Sequence, residues 1–200
     1  MANTVHNKNS SLMAEYRALL VSCHVQKIQF RFGAIQLLPI DFRQLAVKLT
    51  DDESCVAIKI DRESLEQEGS LASYETIFNT FTFRSELVLR EPAGRGEAVH
   101  EAVHAIFDIR DTMRMDLASE CVCFLAGAMY HVITGTEASF LKNHNEKILD
   151  IAADVYKRGQ KRFPEVTLSE RIEIRKILRK NYSYKRGLSR GSGGLSSPYM

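Results

Sequence analysis

Two hundred residues, 44% hydrophobic and 26% charged, are enough for one core and ordinary for a single globular domain. Four irregularly spaced cysteines (Cys23, Cys55, Cys121 and Cys123) are too few for the disulfide framework of a small secreted scaffold. Residues 1–11 lack the basic start and apolar run of a signal peptide, so a reducing, cytoplasmic setting is the default, with signal-independent export as the exception. The formal charge of +2 conceals an asymmetry, because residues 171–200 hold eight Lys/Arg against one acid and leave an acidic body with a basic tail.

Residues 1–11 are polar and are expected to be disordered, with the folded domain spanning 12–182. Leu12 to Ser22 reads as a helix with Leu12, Tyr16, Leu19 and Leu20 on one side. Ile28, Phe30 and Phe32 alternate with polar residues, which predicts a half-buried strand ending at Gly33. After Pro39, Asp41 is a candidate N-cap for a helix carrying Phe42, Leu45, Ala46 and Leu49, and Asp51-Asp52 stops it. Val56, Ile58 and Ile60 give a second strand, and residues 61–73 are either a short helix or a loop. Ile77, Phe81 and Phe83 share a parity, so 76–83 reads as a strand exposed on one face, with Leu87–Leu89 as a candidate hairpin partner. Pro92-Ala-Gly-Arg-Gly96 is then a loop feeding the next helix.

That helix carries His100-Glu101-Ala102-Val103-His104. Residues four apart on a helix point out from one face, so one tetrahedral Zn²⁺ can take both imidazoles. Glu101 lies roughly 100° round from His100, beside the ion, where it can deprotonate a zinc-bound water and pass the proton to a leaving amine. Val99, Ala102, Val103, Ile106 and Phe107 form an apolar stripe at the same spacing. From Leu117 to Ile133 the chain is apolar nearly all round, which implies a buried helix and not a membrane span. Its carboxylate, Glu120, must be paired, neutralised or bound to a cation; two histidines and a zinc ion resolve it most cheaply, and a buried ion pair is the alternative. Asp116, one turn earlier, suits either a partner that orients a ligand histidine or an N-cap. Asp108 and Asp111 fall near the histidine face if the motif helix continues, as reserve candidates for third ligand or orienting partner. Cys121 and Cys123 point about 200° apart, so they cannot share one zinc and read as buried thiols. His131 is more than about 15 Å along the axis from Glu120 and does not belong to the same metal. Tyr130 and Tyr74 are candidate oxyanion donors, without a spacing argument behind either.

The stretch His100-Glu-Ala-Val-His-Ala-Ile-Phe-Asp-Ile-Arg-Asp111, followed by Asp116-Leu-Ala-Ser-Glu-Cys-Val-Cys-Phe-Leu-Ala-Gly-Ala-Met-Tyr130, resembles the zincin superfamily of zinc metallopeptidases. Within it the layout is similar to gluzincins, and to short domains of the minigluzincin kind, whose third ligand is a Glu on the helix after the motif. The likeness covers about residues 74–135. It implies a peptidase with one Zn²⁺ on His100, His104 and Glu120, Glu101 as general base, and a peptide or protein substrate. It also implies that the strand before the motif helix, here 76–83, lies along the sheet edge above the metal and pairs with extended substrate, the plain reading being an ordinary sheet strand. The chain departs from thermolysin-like enzymes at Phe124, where those carry Asp, and it offers no match to their transition-state histidine.

Gly135 closes the Glu120 helix at the C′ position. Asn145 to Lys157 is an amphipathic helix with Ile148, Ile151, Ala152 and Val155 inward. Beyond Pro164, Thr167 and Glu170 form a capping box for a final helix to about Lys180, with Ile172, Leu178 and Ile174 or Ile177 as its apolar members. Its cationic members are Arg171, Arg175, Lys176, Arg179 and Lys180, and residues 183–200 read as a basic flexible tail. A solvated helix with a loose end is the plain reading; contact with nucleic acid, an anionic membrane or an acidic partner is the functional one. The expected whole is an α+β, zincin-like domain with a small mixed sheet packed on the motif helix and the Glu120 helix behind it. The alternative function is a catalytically silent zincin-fold interaction module that uses the basic tail.

Overall fold

The computed structural model of the chain describes residues 2–49, 56–111, 117–142 and 144–189. The architecture is α+β, with one two-stranded and one three-stranded sheet among many helices. Helix α1 (Ala2–Leu20) buries Leu12, Tyr16, Leu19 and Leu20 as their spacing requires, but it starts well before Leu12. Extending a helix that packing has already nucleated costs far less than starting one, so the polar residues before Leu12 follow.

Strands β1 (Phe30–Phe32) and β2 (Ile35–Leu37) form a tight antiparallel hairpin, turned by Gly33 at φ +66°. Helix α2 (Pro39–Lys48) begins earlier than the capping pattern suggested, with Pro39 in its first turn. Asp41 is therefore inside the helix, where its carboxylate accepts the Leu38 N–H at 2.7 Å and pairs with Arg110. The Asp51-Asp52 stop and Cys55 lie outside the described residues.

Strand β3 (Ala57–Ile60), helix α3 (Arg62–Glu68), β4 (Ala72–Glu75) and β5 (Thr80–Phe83) follow in the chain. The sheet order is β3-β5-β4, parallel between β3 and β5 and antiparallel between β4 and β5, which makes a small mixed sheet. The strand expected over 76–83 is shorter than its parity implied. Residues 76–79 form the β4–β5 turn, with Asn79 at φ 47° and Ile77 82% exposed. Its hairpin partner is β4, and Val88–Arg90, part of the stretch expected to pair, is a 3₁₀ turn.

Helices α4 (Pro92–Ile109) and α5 (Leu117–Thr134) form the centre, with α4 against β4 and α5 behind it. Pro92 to Gly96, expected as a loop, is the first turn and a half of α4. Proline is favoured at a helix start, and the Tyr16 hydroxyl donates to the Ala98 carbonyl at 2.9 Å, tying α1 to this end. By length and composition α5 could cross a bilayer, yet 61% of it is buried inside the fold. Gly135, at φ +67°, ends it.

Helices α6 (Glu137–Leu141), α7 (Glu146–Gly159) and α8 (Leu168–Ser189) complete the C-terminal side, α7 and α8 both packing on α5. Asn145 caps α7, which buries Ile148, Ile151, Ala152 and Val155. The capping box opens α8: the Thr167 N–H donates to Glu170 at 2.7 Å, and the Glu170 N–H to the Thr167 hydroxyl at 3.3 Å. Ile174, Ile177 and Leu178 are buried, while Ile172, expected among them, is 54% exposed. The helix also continues past Lys180 to Ser189, because nothing in Asn181–Arg186 breaks it.

Candidate metal centre

His100 and His104 project from one face of α4 with their Nε2 atoms 3.3 Å apart. Two nitrogens held at tetrahedral Zn²⁺ bond lengths are separated by about the same distance, roughly 3.3 Å. Helix α5 returns antiparallel and presents Glu120 to the pair. Its Oε1 lies 3.5 Å from His104 Nε2, and its Oε2 3.7 Å from His100 Nε2. The three side chains are 13–20% exposed, sunk in the fold but reachable by water. Burial lowers the His104 pKa, and nearby Glu120 opposes that only in part, which favours the neutral imidazole a metal requires.

Two glycines allow this approach. A Cβ on Gly127 would sit 3.1 Å from the Gly96 carbonyl oxygen and 3.7 Å from His100 Cβ. A Cβ on Gly96 would lie 2.0 Å from His131 Nε2, inside the ring's van der Waals envelope. His131 is thus a packing residue at the far end of the α4–α5 contact, with Nδ1 2.9 Å from the Thr136 hydroxyl. Phe124 sets its ring nearly perpendicular to His100, centroids 4.6 Å apart, and touches His144 on another side at 5.6 Å. It gives His100 an apolar wall and fixes the plane of the imidazole.

Glu101 turns toward the sheet. Its Oε2 accepts the main-chain N–H of Tyr74 at 2.8 Å, while Oε1 lies 3.9 Å from His100 Nε2. The carboxylate therefore bridges the histidine face and strand β4. Strand β5 pairs on both sides, so the outer strand facing α4 is β4 and not the 76–83 segment expected there. The Leu71 N–H, just before β4, likewise donates to Glu97 at 3.0 Å.

The Tyr74 hydroxyl donates to Asp108 Oδ2 at 2.7 Å, and burial followed by that carboxylate pushes its pKa up, so the phenol is committed to Asp108. Asp108 is correspondingly engaged away from the ligand set. Helix α4 ends at Ile109, and Asp111 is exposed at φ 50° beyond it, so the histidine face does not continue that far. Tyr130 is bonded to Arg95, near the start of α4, and lies about 15 Å along α5 from Glu120. Asp116 lies outside the described residues.

One side chain at the centre escaped the sequence argument. A ring nitrogen of His100, one of His104 and the Cys123 sulfur all lie within 4.8 Å of one another. Cys121 and Cys123 do face apart, but Cys123 is three residues after Glu120, and i, i+3 on a helix share a face. That spacing was the available signal. The thiol is fully buried, and its pKa is pushed well up by burial, then by Glu120 and Glu101. Among the described residues, His100, His104 and Cys123 each offer a donor atom within 4.8 Å of the others, and Glu120 reaches the same two imidazoles at 3.5–3.7 Å.

No family model, curated protein or solved structure matches the chain.

Proposed function

We propose that the chain is a zinc-dependent peptidase on a zincin-like domain, with one Zn²⁺ held by His100, His104 and Glu120. The observation that supports it is the convergence of three ligand side chains from two antiparallel helices at 3.3–3.7 Å. When bound, zinc lowers the pKa of a coordinated water toward neutrality and polarises a carbonyl. Glu101 accepts the proton of the attacking water and delivers it to the leaving amine. The Tyr74 N–H orients Glu101 between strand and ligands, and Phe124 keeps the His100 ring in plane.

The test is paired. The purified chain carries about one zinc, which His104→Ala or Glu120→Ala loses; Glu101→Gln keeps the zinc and loses cleavage of an unfolded protein substrate by about 10²–10⁴-fold. Cleavage unchanged in Glu101→Gln excludes the peptidase reading.

A second reading, a catalytically silent zincin-fold module using basic α8 as its contact surface, is favoured by the Tyr74 N–H already occupying Glu101. Zinc at one per chain with no hydrolysis in the unmutated protein or in Cys123→Ser selects it.

A further inference from the structure

We propose that Cys123 is a fourth protein ligand of this centre, so that the resting site is two histidines, Glu120 and a thiolate. The inference rests on reading the cluster as a metal centre and adds how that centre is regulated.

Each helix supplies two donors from one face: His100 and His104 at i, i+4 on α4, and Glu120 and Cys123 at i, i+3 on α5. Glu120 lies 3.5–3.7 Å from the two imidazole nitrogens, and the thiol, 0% exposed, has its sulfur within 4.8 Å of a nitrogen on each of the same rings, so both donors reach the pair. A sulfur and a nitrogen on one tetrahedral zinc are about 3.6 Å apart. The Cys123 sulfur is already within 4.8 Å of a ring nitrogen of each histidine, so a shift of roughly 1 Å brings it to that separation. On binding, the thiol gives its proton to solvent as the metal–sulfur bond forms. Four protein donors complete a tetrahedron, the mark of a closed site; an open catalytic one keeps a position for water. Cys123 is then a built-in latch, and hydrolysis begins only when the sulfur leaves the ion.

The test uses the full chain loaded with Co²⁺ as the probe. The expected spectrum has a sulfur-to-cobalt charge-transfer band in the near ultraviolet beside the visible bands of a tetrahedral ion. Cys123→Ser loses the near-ultraviolet band while still taking one cobalt, and Cys121→Ser keeps it. Zinc-edge X-ray absorption of the unmutated chain, which needs no variant to fold, shows a sulfur neighbour at about 2.3 Å. Cobalt bound without the band, a band that survives Cys123→Ser, or a zinc shell of nitrogen and oxygen alone overturns the latch and leaves the three-ligand centre standing. A chain that binds neither cobalt nor zinc overturns both.

Discussion

A carboxylate on a helix as apolar as α5 is costly to bury unless something meets it. Glu120 is met by two imidazoles, one of which burial holds toward its neutral form, and the proposed zinc site is built on this combination. His131, on the same helix, is the contrasting case. It is 3% exposed, wedged against Gly96, and burial depresses its pKa below the ordinary histidine value of about 6.5, with the Thr136 carbonyl opposing. The sign follows from which state binds the proton. The unfolded chain takes up a proton near pH 6.5 that the folded chain resists, so stability is complete above that pH and falls as the pH drops toward the folded value. Denaturant midpoints at pH 7.5 and pH 5.5 should therefore differ, and His131→Gln should narrow that difference.

At the scale of elements, the α4–α5 contact is set by what is missing from it. Gly96 and Gly127 let two helices approach closely enough for His100 and His104 on one to lie 3.5–3.7 Å from Glu120 on the other. Gly96→Ala drives a methyl into the His131 ring and should cost roughly 1–3 kcal/mol, as overpacked core sites do. For a domain of this size that is about 2–4 °C of Tm per kcal/mol, measurable by calorimetry. The same variant should bind zinc more weakly, since the displaced helix carries Glu120. The start of α8 gives an independent check, because its capping box is local. Thr167→Ala removes the hydroxyl that accepts the Glu170 N–H and should cost about 1 kcal/mol without altering zinc content.

For the molecule as a whole, an ion shared between α4 and α5 should stabilise the fold by linkage. At free zinc a hundredfold above Kd the gain is about 2.7 kcal/mol. Removing zinc with a chelator should lower Tm, readdition should restore it, and His100→Ala should show neither effect. Much of this centre was legible beforehand because its halves are local. His100 and His104 share a turn, and Glu120 stands out as the lone acid on its helix. Cys123 was equally legible through its i, i+3 spacing from Glu120, which its opposed orientation to Cys121 does not alter. Helices α2, α7 and α8 followed from periodicity, and the start of α8 from its capping box, signals that depend on near neighbours; α2 nevertheless starts before the Asp41 cap expected for it. Strands β2 and β4 did not, because three or four residues hold too little alternation to stand out. The extension of a 76–83 strand to Ile77 failed for a related reason, since parity cannot distinguish a strand residue from a turn residue at its end.

What the amino-acid order determined by itself is therefore the pair of helices, the residues that face out of each, and the chemistry those residues can do. Only the tertiary structure decided that β5 is interior and β4 the outer strand facing α4, that the Tyr74 N–H goes to Glu101 and its phenol to Asp108, and that Gly96 is a helix contact point opposite Gly127 and not a loop residue. Sheet order and helix approach depend on contacts between residues far apart in sequence, and no periodicity along the chain encodes which distant surfaces will meet.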